Sequence, residues 1–214
     1  MDWKVAEFSF FMPLRYHLSA AKSGLVIVLH GYQDNVESML RRLGWKDLDA
    51  LPFRVLAMNA PFPVPVWDAD GFKDAFAWYF RDASRGLTIV APETTAEHLA
   101  RLLRDLKLED EPKVLFGFSQ GGYLAPHLAK RTRNVRLIAG VGCGYPQAAY
   151  DGLAKLPVHA IHGEKDERIS LTQARSEYEA TGFPGEFHLI PGLEHRVNDQ
   201  VEKLVRDLAV KVLR

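Results

Sequence analysis

Short apolar runs of strand length alternate with helical patterns along most of this chain, and that alternation leaves few folds open. Leu25-Val26-Ile27-Val28-Leu29 is continuous and apolar, as a strand buried on both faces must be, and it ends in His30-Gly31. Similar runs follow at residues 53–58, 113–118, 135–141, 158–161 and 186–190. Helical signals lie between them. Leu99, Leu102, Leu103 and Leu106 recur at helical spacing behind a capping box of Thr94 and Glu97. Asp34 with Glu37 and Ser170 with Gln173 carry the same start signal, and Val197, Val201, Leu204, Val205, Leu208 and Val212 form a terminal stripe. Strands alternating with helices predict a mainly parallel sheet covered on both faces, with the ligand site beyond the strands' carboxyl ends. Residues 5–11 and 15–19 add an expected antiparallel pair, with Pro13 near its turn. The chain's 214 residues, 47% hydrophobic and 25% charged, suit one α/β domain over residues 1–214 without a large cap.

Charge narrows the partners. Lys plus Arg and Asp plus Glu number 27 each, so no net field draws a polyanion, and nucleic acid is not expected as a partner. No apolar run reaches bilayer length, so integral membrane association is not expected either. The lone Cys143 cannot form an intrachain disulfide, and the start Met1-Asp2-Trp3-Lys4 lacks the pattern of a signal peptide. Both fit a cytoplasmic protein.

The chemistry centres on Gly117-Phe118-Ser119-Gln120-Gly121, which closes one strand run and opens a helical stretch. Gly-x-Ser-x-Gly between strand and helix is the context of a nucleophile elbow. The turn is so tight that the positions two before and two after the serine must lack side chains. The alternative is a glycine-rich turn whose serine only caps the helix. Pro126, inside that helix, predicts a kink or widened turn.

A serine hydroxyl needs a base, and His195 stands in the loop after the last strand run, on the expected catalytic edge. The base needs an acid to fix its tautomer. Asp166 in His162-Gly163-Glu164-Lys165-Asp166 is the choice, with Glu164 its rival, and the order Ser119, Asp166, His195 is that of α/β-hydrolases. The backbone N–H groups of Tyr32 and Gln120 are the expected oxyanion donors. His159 and His162 lie three apart on a strand and project to opposite faces, so they cannot chelate one metal as a pair and no metal site is expected.

Together these segments resemble the phospholipase/carboxylesterase family, which includes the acyl-protein thioesterases. The likeness rests on the elbow with Gly122, on Leu29-His30-Gly31 before Asp34-Asn35, on Asn59-Ala60-Pro61 with Trp67 and Trp78-Tyr79, and on the segment 162–166. It implies the α/β-hydrolase fold and cofactor-free hydrolysis of carboxylic esters or thioesters. Glu164 stands where the family usually has aspartate, Ser170 replaces a common proline, and Pro126 is foreign to the family's elbow helix. Val141-Gly142-Cys143-Gly144-Tyr145-Pro146 is shorter and richer in glycine than expected, which bears on the acyl pocket.

Residues 60–80 are aromatic and rich in proline, and Trp67, Trp78 and Tyr79 are expected to line a groove for substrate, unless the segment simply packs on the core. The expected substrate is a small-molecule or acylated ester with a short-to-medium acyl chain, cleaved through an acyl-serine. Alternatives are a non-catalytic ligand-binding protein of the same fold, or a small serine peptidase or lysophospholipase. Exposed aromatics would be compatible with a homodimer.

Overall fold

The computed structural model describes residues 14–20, 22–68, 71–82, 85–153 and 155–214. The expected strand over residues 5–11 and its turn at Pro13 lie outside them. Seven strands form the central sheet: β1 Tyr16–Leu18, β2 Leu25–Leu29, β3 Arg54–Met58, β4 Lys113–Phe118, β5 Val135–Val141, β6 Val158–Gly163 and β7 Phe187–Ile190. Their spatial order is β1-β3-β2-β4-β5-β6-β7, and only β1 runs antiparallel, against β3. This is the α/β sheet that the run pattern predicts.

Residue alternation within the strands explains the two layers. Leu25, Ile27 and Leu29 point into one core with Leu115 and Ile138, while Val26 and Val28 point into the other with Val114 and Phe116. The first core is closed by α2 (Pro92–Asp105), α3 (Gln120–Ala129), the short α4 (Gln147–Tyr150) and α5 (Leu171–Thr181), through Leu99, Leu103, Leu124, Leu128, Tyr150 and Tyr178. The second is closed by α1 (Val36–Arg42) and by the final helix, Asp199–Leu213, through Val36, Met39, Val201, Val205 and Leu208.

Helix starts differ in detail from the sequence pattern. Asn35, one residue after Asp34, caps α1 by accepting from the Ser38 N–H, and Asp34 instead pairs with Arg42. The Thr94/Glu97 box is not used: α2 begins three residues earlier, with Ala91 at the cap position, Pro92 in the first turn and no side-chain cap. Proline's missing N–H costs nothing there. Ser170 caps α5 as expected. The α3 helix remains one element through Pro126, without a widened turn.

Residues 60–80 and the stretch after them form nested two-stranded ribbons. Phe62–Pro63 pairs with Phe76–Ala77, Val66–Asp68 with Gly71–Lys73, and Phe80–Asp82 with Leu87–Val90. The Phe76 N–H donates to the Asp34 carbonyl at 2.9 Å, which ties the ribbons to the loop after β2. Register then decides where chemistry can sit. Leu29 pairs with Gly117, Phe118 with Val141, and Gly163 with Ile190, so the β2, β4, β5, β6 and β7 carboxyl ends form one edge. No helix among the described residues is long and apolar enough to cross a membrane.

Candidate active site

The turn after β4 carries a strained backbone. Ser119 has φ 50° and ψ −116°, a region that non-glycine residues rarely occupy. A Cβ on Gly117 would overlap the Gly121 carbonyl, and one on Gly121 would overlap the Leu29 carbonyl. The two glycines therefore let the elbow close on itself and on β2. The strain points the serine side chain away from the sheet, at the edge where the other loops converge.

Two loops meet it there. The Ser119 hydroxyl lies 3.0 Å from His195 Nε2, and His195 Nδ1 lies 2.7 Å from Asp166 Oδ2. With Nδ1–H donating to the carboxylate, Nε2 is left to accept from the hydroxyl, the tautomer this network assigns. Asp166 is buried, and its other oxygen accepts from the Arg168 and Ile169 N–H groups at 2.9 and 3.0 Å. His162 Nε2–H donates to the Ile169 carbonyl at 3.0 Å, which fixes the same turn from below. The structure thus brings Ser119, His195 and Asp166 into one hydrogen-bonded line.

Glu164 is elsewhere. Its Oε2 accepts from the Gly192 N–H at 2.8 Å, so it ties the β6 turn to the loop that carries His195. Phe118 lies against the His195 ring, centroids 4.9 Å apart, and the Arg42 guanidinium lies over the Phe118 ring, 5.7 Å from its centroid. Phe118 thus packs against the imidazole, and Arg42 packs on Phe118. Composition alone does not reveal either contact, because each joins segments far apart in sequence.

The loop after β2 is held from beneath by a buried network. His30 Nδ1–H donates to the Gly31 carbonyl at 2.7 Å and Nε2 accepts from the Ala60 N–H at 2.9 Å. Burial pushes the His30 pKa down from its ordinary value, and both hydrogen bonds suit the neutral ring. Trp78 has no exposed surface; its indole N–H donates to the His30 carbonyl at 2.8 Å. The Gln120 side chain accepts from the Trp78 N–H at 2.9 Å and donates to the Tyr79 carbonyl at 2.8 Å. Trp78 therefore lies beneath the site rather than in its wall.

A cavity of about 730 Å³ opens over Ser119, with Tyr32, Tyr79, Phe80, Tyr123 and Glu177 among its lining residues. Tyr79 is in the wall. Trp67 is 76% exposed on its ribbon, edge-on to Phe72, and does not line the cavity. Tyr32 and Gln120 do, and Gln120 opens α3, where a backbone N–H has no acceptor within the helix. Cys143 is fully buried behind Gly122, and burial pushes its thiol up to about 12, so it is a packing residue. No group of three or more metal-binding side chains occurs among the described residues. His159 Nδ1 instead lies 2.8 Å from His188 Nε2 in a stacked pair.

Residues 17–209 match the phospholipase/carboxylesterase family model. No curated protein matches the sequence. Among solved structures, esterase PE8 superposes with a TM-score of 0.71 at 23% identity, covering 94% of this chain and 98% of that one. Acyl-protein thioesterase 2 of Zea mays gives 0.70 at 20%, covering 94% and 99%. SOBER1 of Arabidopsis thaliana gives 0.67 at 18%, covering 91% and 100%. At these identities the structures establish the fold, and the family match over most of the chain establishes the kinship: the chain is a hydrolase belonging to the phospholipase/carboxylesterase family, with the α/β-hydrolase fold.

Proposed function

We propose that residues 1–214 act as one domain that hydrolyses carboxylic esters, thioesters included, of short-to-medium acyl chains through an acyl-serine intermediate. The observation that carries this reading is the line from Ser119 Oγ to His195 Nε2 to Asp166 Oδ2, at 3.0 and 2.7 Å, with Ser119 in the lining of the cavity. Ser119 Oγ attacks the substrate carbonyl carbon while its proton passes to His195 Nε2. The carbonyl oxygen becomes an oxyanion, facing the N–H groups of Tyr32 and Gln120. On collapse the leaving alcohol or thiol departs with the proton from Nε2, and the acyl group stays on Oγ. Water then attacks that ester, giving its proton to Nε2, and the acid leaves as Ser119 regains the proton.

Asp166 keeps the imidazole in the tautomer that can accept and stabilises the imidazolium when it forms. Tyr79, in the cavity wall, is the proposed acyl contact. Trp67, on its exposed ribbon, would reach only a substrate larger than the cavity. The short-to-medium range rests on the cavity volume and on the polar Glu177 and Gln173 in its wall, which disfavour a long alkyl chain. Steady-state assays on p-nitrophenyl esters of increasing acyl length test this. Highest kcat/KM at short or medium acyl groups, abolished in Ser119→Ala, is expected. Equal rates for wild type and Ser119→Ala would overturn it.

A further inference from the structure

Glu177 is a carboxylate that the hydrolytic steps do not use. It projects from α5 into the cavity wall, and its position is fixed: Oε2 accepts from the Tyr145 N–H at 2.7 Å and Oε1 from the Gln173 side-chain amide at 2.8 Å. Among the described residues it makes no ion pair, although charged partners are common elsewhere on the surface. Each oxygen keeps a lone pair beyond the bond described.

The glycine-rich turn after β5 exists in a form that admits this group. A Cβ on Gly144 would stand 2.6 Å from Glu177 Oε2 and 2.9 Å from the Tyr123 hydroxyl, so any side chain there would displace both. The unusual Gly142-Cys143-Gly144 segment thereby seats a carboxylate and a tyrosine side by side in the wall. Tyr79, Phe80 and Tyr32 line the same space. A fixed anion without a counter-ion, flanked by aromatic rings, is the chemistry that receives an ammonium group, through charge and through the ring faces.

We infer that the cavity selects esters carrying a cationic amine, with Glu177 as the residue that reads the charge. Arg81, exposed on the ribbon Phe80–Asp82, also lines the cavity and works against a cation. It is not fixed as Glu177 is: no ion pair holds it among the described residues, and Asp82, a second carboxylate, lines the same cavity. The kinetic arm rests on the proposed hydrolase reading; the binding arm does not.

In the kinetic arm, choline butyrate is compared with its neutral isostere, in which carbon replaces the quaternary nitrogen. The ethyl ester of a trimethylammonio-butanoic acid is compared with its own carbon isostere, so that both sides of the ester bond are examined. A kcat/KM ratio of about tenfold or more for the cation in one pair is expected, equivalent to about 1.4 kcal/mol. In Glu177→Gln that ratio should fall toward one. Ratios near one in both wild-type pairs, or a preference for an anionic ester, would overturn the inference.

In the binding arm, Ser119→Ala is titrated calorimetrically with hexyltrimethylammonium and with hexanol. Saturable binding of the cation at least about tenfold tighter than of the alcohol supports the inference, and its absence overturns it. Because the binding arm uses a protein without the nucleophile, failure of hydrolysis and failure of charge recognition remain separate results. If Glu177→Gln does not fold, the wild-type ratios and the Ser119→Ala titration still decide.

Discussion

At the scale of single residues, three carboxylates at one edge do three different jobs, and hydrogen bonds tell them apart. Asp166 faces the imidazole, Glu164 ties the histidine loop, and Glu177 faces the cavity. Asp166→Asn would present the wrong partner to His195 Nδ1, and a fall in kcat of roughly 10³–10⁴ is expected. Glu164→Gln keeps an acceptor for the Gly192 N–H, so a loss below about tenfold is expected in the same assay. Equal losses in the two variants would mean that the acid role has been placed on the wrong residue. Cys143 offers a second check. Its buried thiol, raised to about 12, should resist iodoacetamide in the native protein and react only after denaturation. Sequence pattern distinguishes Asp166 from Glu164 only by family order; the tether at Gly192 joins residues 28 apart and leaves no local trace.

At the scale of elements, features set by local sequence are legible. The parallel strands show as apolar runs, with β4 and β5 ending where their runs end and β6 extending two residues further, to Gly163. The elbow shows because its glycines are dictated by overlap with backbone rather than by taste in composition. Cap positions were harder, since Asp34 and Asn35 are adjacent and either can cap; Asp34 is drawn to Arg42. Asn35 caps α1 and also donates to the Asp74 carbonyl at 2.7 Å, joining the helix to the aromatic ribbons. Asn35→Ala should therefore destabilise by about 1–2 kcal/mol, a fall in Tm of roughly 2–8 °C by calorimetry. An unchanged Tm would show that the cap and its cross-link contribute nothing. The aromatic segment was the least legible element. Whether a tryptophan lines a groove or fills a core depends on the ribbons' pairing, which puts Trp78 inside and Trp67 outside.

At the scale of the whole molecule, histidines couple stability to acid. Burial depresses His30, His127, His159 and His188 below the ordinary value of 6.5. The unfolded chain therefore binds more protons than the folded one once pH falls through about 6.5. Stability is unaffected by these groups well above that pH and declines as the solution is acidified toward their folded values. His159 and His188 add mutual repulsion if both become charged, being 2.8 Å apart across β6 and β7. A Tm that falls steadily between about pH 7 and pH 5 is expected, with a smaller slope in His30→Gln. A Tm that rises over that range would contradict the burial argument. The two cores, by contrast, follow directly from strand alternation, which is why the sheet and its layers were legible while the site's wall was not.

The central claim is that Ser119 is the nucleophile, and a covalent adduct tests it most directly. The protein is treated with a fluorophosphonate at neutral pH and mapped by peptide mass spectrometry. One adduct per chain is predicted, on Ser119, absent from Ser119→Ala and strongly slowed in His195→Ala. An adduct that persists in Ser119→Ala, or a folded wild type that takes none, would contradict the account.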